Sequence, residues 1–128
     1  MKLEDQVCSL ELSKRLKELG LPQFSLWSYN SKNVLCLYTF LAKEKDQYVS
    51  AFTASELSNL LPVSIQSEEL TSFLKIYKSH QIDCNAIDWI VSYECVGGII
   101  YPWNFGERTL VDAFAKMLIH LIETGVVK

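Results

Sequence analysis

Apolar residues recur at helical spacing near both ends of the chain and at strand spacing between them. Cys8, Leu12, Leu16 and Leu19 fall three or four residues apart, and Gly20, Leu21 and Pro22 follow directly. A period near 3.6 predicts an amphipathic helix; Gly20 fits its left-handed C-terminal cap, and Pro22 prevents the helix from resuming. Its outward positions pair Glu11 with Arg15 and Lys14 with Glu18 across one turn, each pair contributing about 0.2–0.5 kcal/mol.

Phe24 to Tyr29 and Val34 to Leu41 are rich in aromatic and branched residues, and Asn30-Ser31-Lys32-Asn33 separates them with side chains suited to a turn. They predict an antiparallel hairpin. Its second arm is apolar on both alternating sets, which places it centrally with both faces covered. A charged connection, Lys43 to Asp46, leads to a short strand at Gln47 to Phe52 and then to Thr53-Ala54-Ser55-Glu56. That spacing is a capping box: the Thr53 hydroxyl accepts from the Glu56 amide, the Glu56 carboxylate returns to the Thr53 amide, and Phe52 staples onto Leu57. The helix it starts ends before Pro62, after about two turns. Leu70 to Tyr77 and Asp88 to Val96 have strand composition, although Ser67-Glu68-Glu69-Leu70 also resembles a helix start. Gly97-Gly98 predicts a tight turn into a last short strand beginning at Ile99.

Leu110, Ala113, Phe114, Met117, Leu118, Leu121 and Ile122 form a wide helical stripe, with Thr109 as N-cap, Asp112 in the positive first turn and Gly125 closing the helix. The expected architecture is a single α+β domain over residues 1–128. An antiparallel sheet of about four to six strands is packed by the C-terminal helix, with the N-terminal helix and the short capped middle helix alongside.

Three blocks, Val7 to Gly20, Phe52 to Leu57 with Leu61-Pro62, and Asp112 to Ile119, match in order and spacing, so the chain resembles a family of small uncharacterised phage and prophage-type bacterial proteins. The blocks cover about a third of the chain, and helix architecture alone also explains each of them. The resemblance implies a bacterial cytoplasm or phage context and an accessory role. It brings no activity, cofactor or site residue.

Composition bounds the remaining possibilities. The chain has 128 residues, 49% of them apolar, and a mean hydropathy of +0.12, which excludes intrinsic disorder. Twelve basic against fifteen acidic residues leave a net charge of -3, without the field that draws a protein onto phosphate backbones, so nucleic-acid binding is disfavoured. No apolar run reaches the ~18 residues of a membrane span. Cys8, Cys36, Cys84 and Cys95 are scattered, and Met-Lys-Leu-Glu-Asp opens without an apolar signal core, so free thiols in a cytoplasmic protein are expected.

Candidate chemistry is sparse. His80 and Cys84 lie four apart with Asp83 between and Cys95 eleven further on, but no Cys-x-x-Cys is present, and the expectation is no metal. His120 falls at a helix edge. The thiols and histidines carry no signature of a nucleophile and base, and Glu4, Asp5, Glu68 and Glu69 read as solvated charge. Gly97-Gly98 lacks the lysine and helix start of a phosphate loop. A helix-turn-helix starting at Glu11 lacks its second helix. No catalytic residue, cofactor or small-molecule substrate is therefore indicated.

The segment Tyr101 to Arg108 places Trp103, Phe105 and Arg108 just before a helix, and Trp27 and Tyr29 lie on the first hairpin. Exposed, such residues anchor interfaces; folded inward, they cover the sheet. The leading expectation is a noncatalytic interaction or accessory protein that binds a protein partner or a second copy of itself. A nucleic-acid or regulatory binder and a thiol- or metal-dependent enzyme are the alternatives.

Overall fold

The computed structural model describes residues 2–37, 48–66, 71–80, 87–95 and 100–127, and at 79–80, 87–88 and 100–106 it describes the backbone. Element order is α1 (Leu3–Gln6), α2 (Leu10–Glu18), β1 (Trp27–Tyr29), β2 (Leu35–Leu37), β3 (Val49–Ser50), α3 (Ala54–Ser58), β4 (Ser64–Gln66), β5 (Thr71–His80), β6 (Ile87–Cys95), β7 (Ile100–Glu107) and α4 (Leu110–Glu123). The class is α+β. The strands divide into two antiparallel sheets, one of three in the order β2-β1-β3 and one of four in the order β4-β5-β6-β7. The expected single sheet is corrected accordingly, and only the four-stranded sheet carries the C-terminal helix.

α4 forms because its apolar positions recur at helical spacing behind a working cap: the Thr109 hydroxyl accepts from the Asp112 amide. It packs on β6 and β7 and against α2 and α3. Phe114, Met117, Leu118 and Leu121 are buried together with Val91 and Tyr93 of β6, Leu16 of α2 and Phe52 and Leu57 around α3. Gly125 sits at φ 80° behind the last turn and Gly20 at φ 89° behind α2, the left-handed cap conformation that glycine adopts without a side-chain penalty.

The capping box at α3 is complete. Thr53 accepts from the Glu56 amide at 3.3 Å, and the Glu56 carboxylate accepts from the Thr53 amide at 3.0 Å. Phe52 and Leu57 flank it in one buried cluster. The helix spans five residues, shorter than the two turns expected.

The first hairpin is shorter than its composition suggests. Phe24 and Leu26 stay outside β1, and Asn30 turns the chain by accepting from the amides of Lys32 and Val34, with Asn33 at φ 61°. The described part of the second arm is not central: among the described residues β2 lies at a sheet edge, with Val34 and Leu37 exposed. β1 takes the middle because β3, delivered by the later chain, pairs on its other side. Residues 38–41 and the charged connection lie outside the described residues, as do Gly97 and Gly98.

β5 is a strand, which resolves the ambiguity at Leu70. Its register with β6 puts Leu74, Tyr93 and Val91 on the α4 side and Phe73, Lys75 and Tyr77 on the other. β7 pairs with β6 through a register shift between Ser92 and Glu94. Tyr101 to Glu107 thus belongs to β7, which is longer than the short last strand expected from Ile99. Pro102 fits because β7 is an edge strand, where a missing amide is tolerated.

Candidate functional site

Among the described residues the four-stranded sheet leaves one backbone edge of β5 uncovered. Among the described residues β4 pairs with β5 at Thr71 to Phe73, and the Leu74 amide makes a last outward bond to the Val63 carbonyl at 2.9 Å. Beyond it no strand pairs with this side of β5 among the described residues. Backbone groups alternate sides along a strand, so the N–H and C=O of Ile76 and Lys78 point outward as Leu74 does, while Lys75 and Tyr77 bond to β6. Short β4 therefore caps one end of a ten-residue strand and leaves the rest as a pairing template.

The side chains around this edge are apolar and charged, with Lys75 paired to Glu94 and Lys78 set over an indole ring. Ile76 is 42% exposed. Lys75 bonds to Glu94 at 2.9 Å and lies 5.4 Å from the centre of the Tyr77 ring, on the sheet face away from α4. Glu94 shifts the Lys75 ammonium upward by hydrogen bonding and charge. Lys78 lies 4.5 Å from the centre of the Trp89 indole on the α4 face. One lysine thus stands on each side of the open backbone.

The residues singled out from sequence lie elsewhere. Tyr29 is buried, and its hydroxyl donates to the Cys8 carbonyl at 2.8 Å. Burial pushes this phenol up to about 12. Tyr29 therefore serves the interior. Trp27 is half-buried against the same small cluster of Val7, Tyr29 and Ala51. Trp103 and Phe105 lie in β7, where Phe105 pairs with Val91. Arg108 is exposed and lines a groove with Trp89 at the start of α4.

A second groove, of about 620 Å³, runs between α2 and α4. Of its charged residues, Arg15, Glu107, Asp112 and Lys116 join elements. Arg15 bonds to Glu123 at 2.8 Å and Glu18 at 3.2 Å, replacing the expected Glu11 partner, and Lys116 pairs with Glu107. The Asp112 carboxylate accepts from the Ser9 amide at 2.9 Å and so ties α4 to the start of α2. Burial raises its pKa, with the nearby Glu107 adding to the effect.

Cys8, Cys36 and Cys95 are free thiols. Burial pushes Cys8 up to about 12, leaving it protonated and poorly nucleophilic at neutral pH. Among the described residues no three His, Cys, Asp or Glu side chains gather as a metal site, and no helix is long and apolar enough to cross a membrane. His120 is half-buried in the last turn of α4. Cys84 and the His80 side chain lie outside the described structure.

The site had one signal in the sequence, a lysine on either side of the strand-forming pair Ile76 and Tyr77. What was missing was strand order, which alone shows that β5 outruns its neighbour. No family model, curated protein or solved structure matches the chain.

Proposed function

We propose that this chain is a small noncatalytic accessory protein, in the phage or prophage setting that its three helical blocks suggest, and that it binds an extended acidic segment of a partner protein along β5. The observation carrying this reading is the outer edge of β5 at Ile76 and Lys78, unpaired among the described residues and flanked by two lysines. An incoming strand gains main-chain hydrogen bonds there, the mode of recognition known as strand addition. The lysines select its chemistry. They disfavour a second copy of the same cationic edge and favour a strand that carries carboxylates.

The reading is tested with a ten-residue peptide alternating Val and Glu, and a Val and Lys twin, titrated against the whole chain. The acidic peptide binds and the basic one does not. Ile76→Pro removes an outward N–H without touching the ladder to β6 and weakens binding at least about tenfold, or ~1.4 kcal/mol. Lys75→Glu with Lys78→Glu reverses the preference while leaving the backbone edge in place. Equal binding of both peptides, indifference to Ile76→Pro in a folded variant, or dimerisation through β5 in light scattering contradicts it.

A further inference from the structure

The groove at the start of α4 has a composition of its own. It encloses about 640 Å³ between α1, α3, β6 and the residues that open α4, a size at which pockets hold small molecules. Its apolar wall is built by Ala54, Trp89, Leu110 and Val111. Its polar residues divide into those already engaged and those that are not. The Thr53 hydroxyl caps α3 and the Thr109 hydroxyl caps α4, so neither is free to choose a ligand. The Glu56 carboxylate beside it is consumed by Thr53 and Ser25.

What remains are the charged side chains. Arg108 lines the mouth, exposed, with no ion-pair partner among the described residues. Lys78 holds a second positive charge against the Trp89 indole at 4.5 Å. Asp5 of α1 is the carboxylate that the lining itself contributes. The guanidinium is a planar fork whose geometry matches a carboxylate.

We propose that this groove binds a small carboxylic acid with an apolar body: the body lies against Trp89, Leu110 and Val111, and the carboxylate meets Arg108. This site is separate from the outer edge of β5 and does not depend on the strand-addition reading. Lys78 connects the two, because it stands on the open strand while touching the indole that walls the groove.

The experiment is an amide-resolved NMR titration of the whole chain with phenylacetate, indole-3-acetate and isovalerate, each paired with its neutral amide. At least one acid shifts the Trp89 indole and the amides from Arg108 to Val111 with a dissociation constant near or below ~1 mM, and binds about tenfold more tightly than its amide. Arg108→Gln, at an exposed position, erases that preference with the remaining spectrum unchanged. Ser55→Phe, also exposed, fills the groove and removes binding of acid and amide alike. Shifts confined to other regions, no shifts with any of the three acids, equal affinity for acid and amide, or an acid preference that survives Arg108→Gln overturns the proposal.

Discussion

The two sheets are held by different physics. Around α4 the interior is wide and apolar: Phe114, Met117, Leu118 and Leu121 meet Val91, Tyr93, Leu16 and Phe52. Around β1 the fully buried apolar residues of the cluster, among the described residues, are Val7, Tyr29 and Ala51, with Leu3, Leu10, Trp27, Leu35 and Val49 partly buried against them. There, polar bonds do more of the work. Tyr29 donates to the Cys8 carbonyl, Ser25 to the Ala51 carbonyl and to Glu56, Gln23 accepts from the Ser50 amide, and Lys17 donates to the Tyr48 carbonyl. A wide helical stripe excludes water by area, so each contact is replaceable in kind. A small sheet with short strands depends on particular donors meeting particular acceptors, because an unmatched buried group is costly.

That contrast predicts unequal losses. Phe114→Ala or Leu118→Ala opens a cavity under α4 and costs about 2–5 kcal/mol, measurable by denaturant unfolding. Tyr29→Phe keeps the ring and deletes its hydroxyl, costing about 0.5–1.5 kcal/mol, because Ser13 still reaches the Cys8 carbonyl at 3.3 Å. Thr53→Ala removes the cap that turns the chain from β3 into α3 and costs about 1 kcal/mol. Arg15→Ala breaks exposed, solvent-screened ion pairs and gives the smallest loss of the series, shrinking further in salt. A Tyr29→Phe loss equal to that of Phe114→Ala would erase the distinction.

The pH dependence sharpens the comparison. Cys8 and Tyr29, joined by a hydrogen bond through the Cys8 carbonyl, both titrate near 12 in the folded chain, against 9.0 and 10.0 as free groups. The unfolded chain releases these protons first, so stability holds below pH 9 and declines as pH rises from there toward 12. Tyr93, bonded to the Pro62 carbonyl, adds to the same decline from pH 10. Alkaline unfolding followed by tyrosine absorbance shows this directly. In Tyr29→Phe the decline is shallower.

How far the fold was legible follows from the range of each signal. The α4 stripe, the Thr53 to Glu56 box, the Thr109 cap and the Gly20 cap are written within a few residues, and each appears where its chemistry puts it. Sheet membership is not local. Val34 to Leu37 is apolar on both sides, yet β2 lies at an edge, because centrality depends on where β3 arrives from. β4, with Ser64, Ile65 and Gln66, has no strand composition of its own and exists because β5 offers it a partner. β7 runs from Ile100 to Glu107, further than the short strand expected after Gly97-Gly98, because an edge strand tolerates Pro102. Arg15 chose Glu123 from the far end of the chain over Glu11 on its own helix. The open edge of β5 belongs with these: it is a property of strand order, and composition does not encode strand order.

Hydrogen exchange along β5 tests the central claim most directly. The amides of Lys75 and Tyr77, which bond to β6, exchange slowly, whereas those of Ile76 and Lys78 exchange at rates near those of an unstructured chain. Alternating fast and slow amides past Leu74 is the predicted result; uniform protection from Leu74 to Lys78 would mean that the edge is already occupied and would contradict the account.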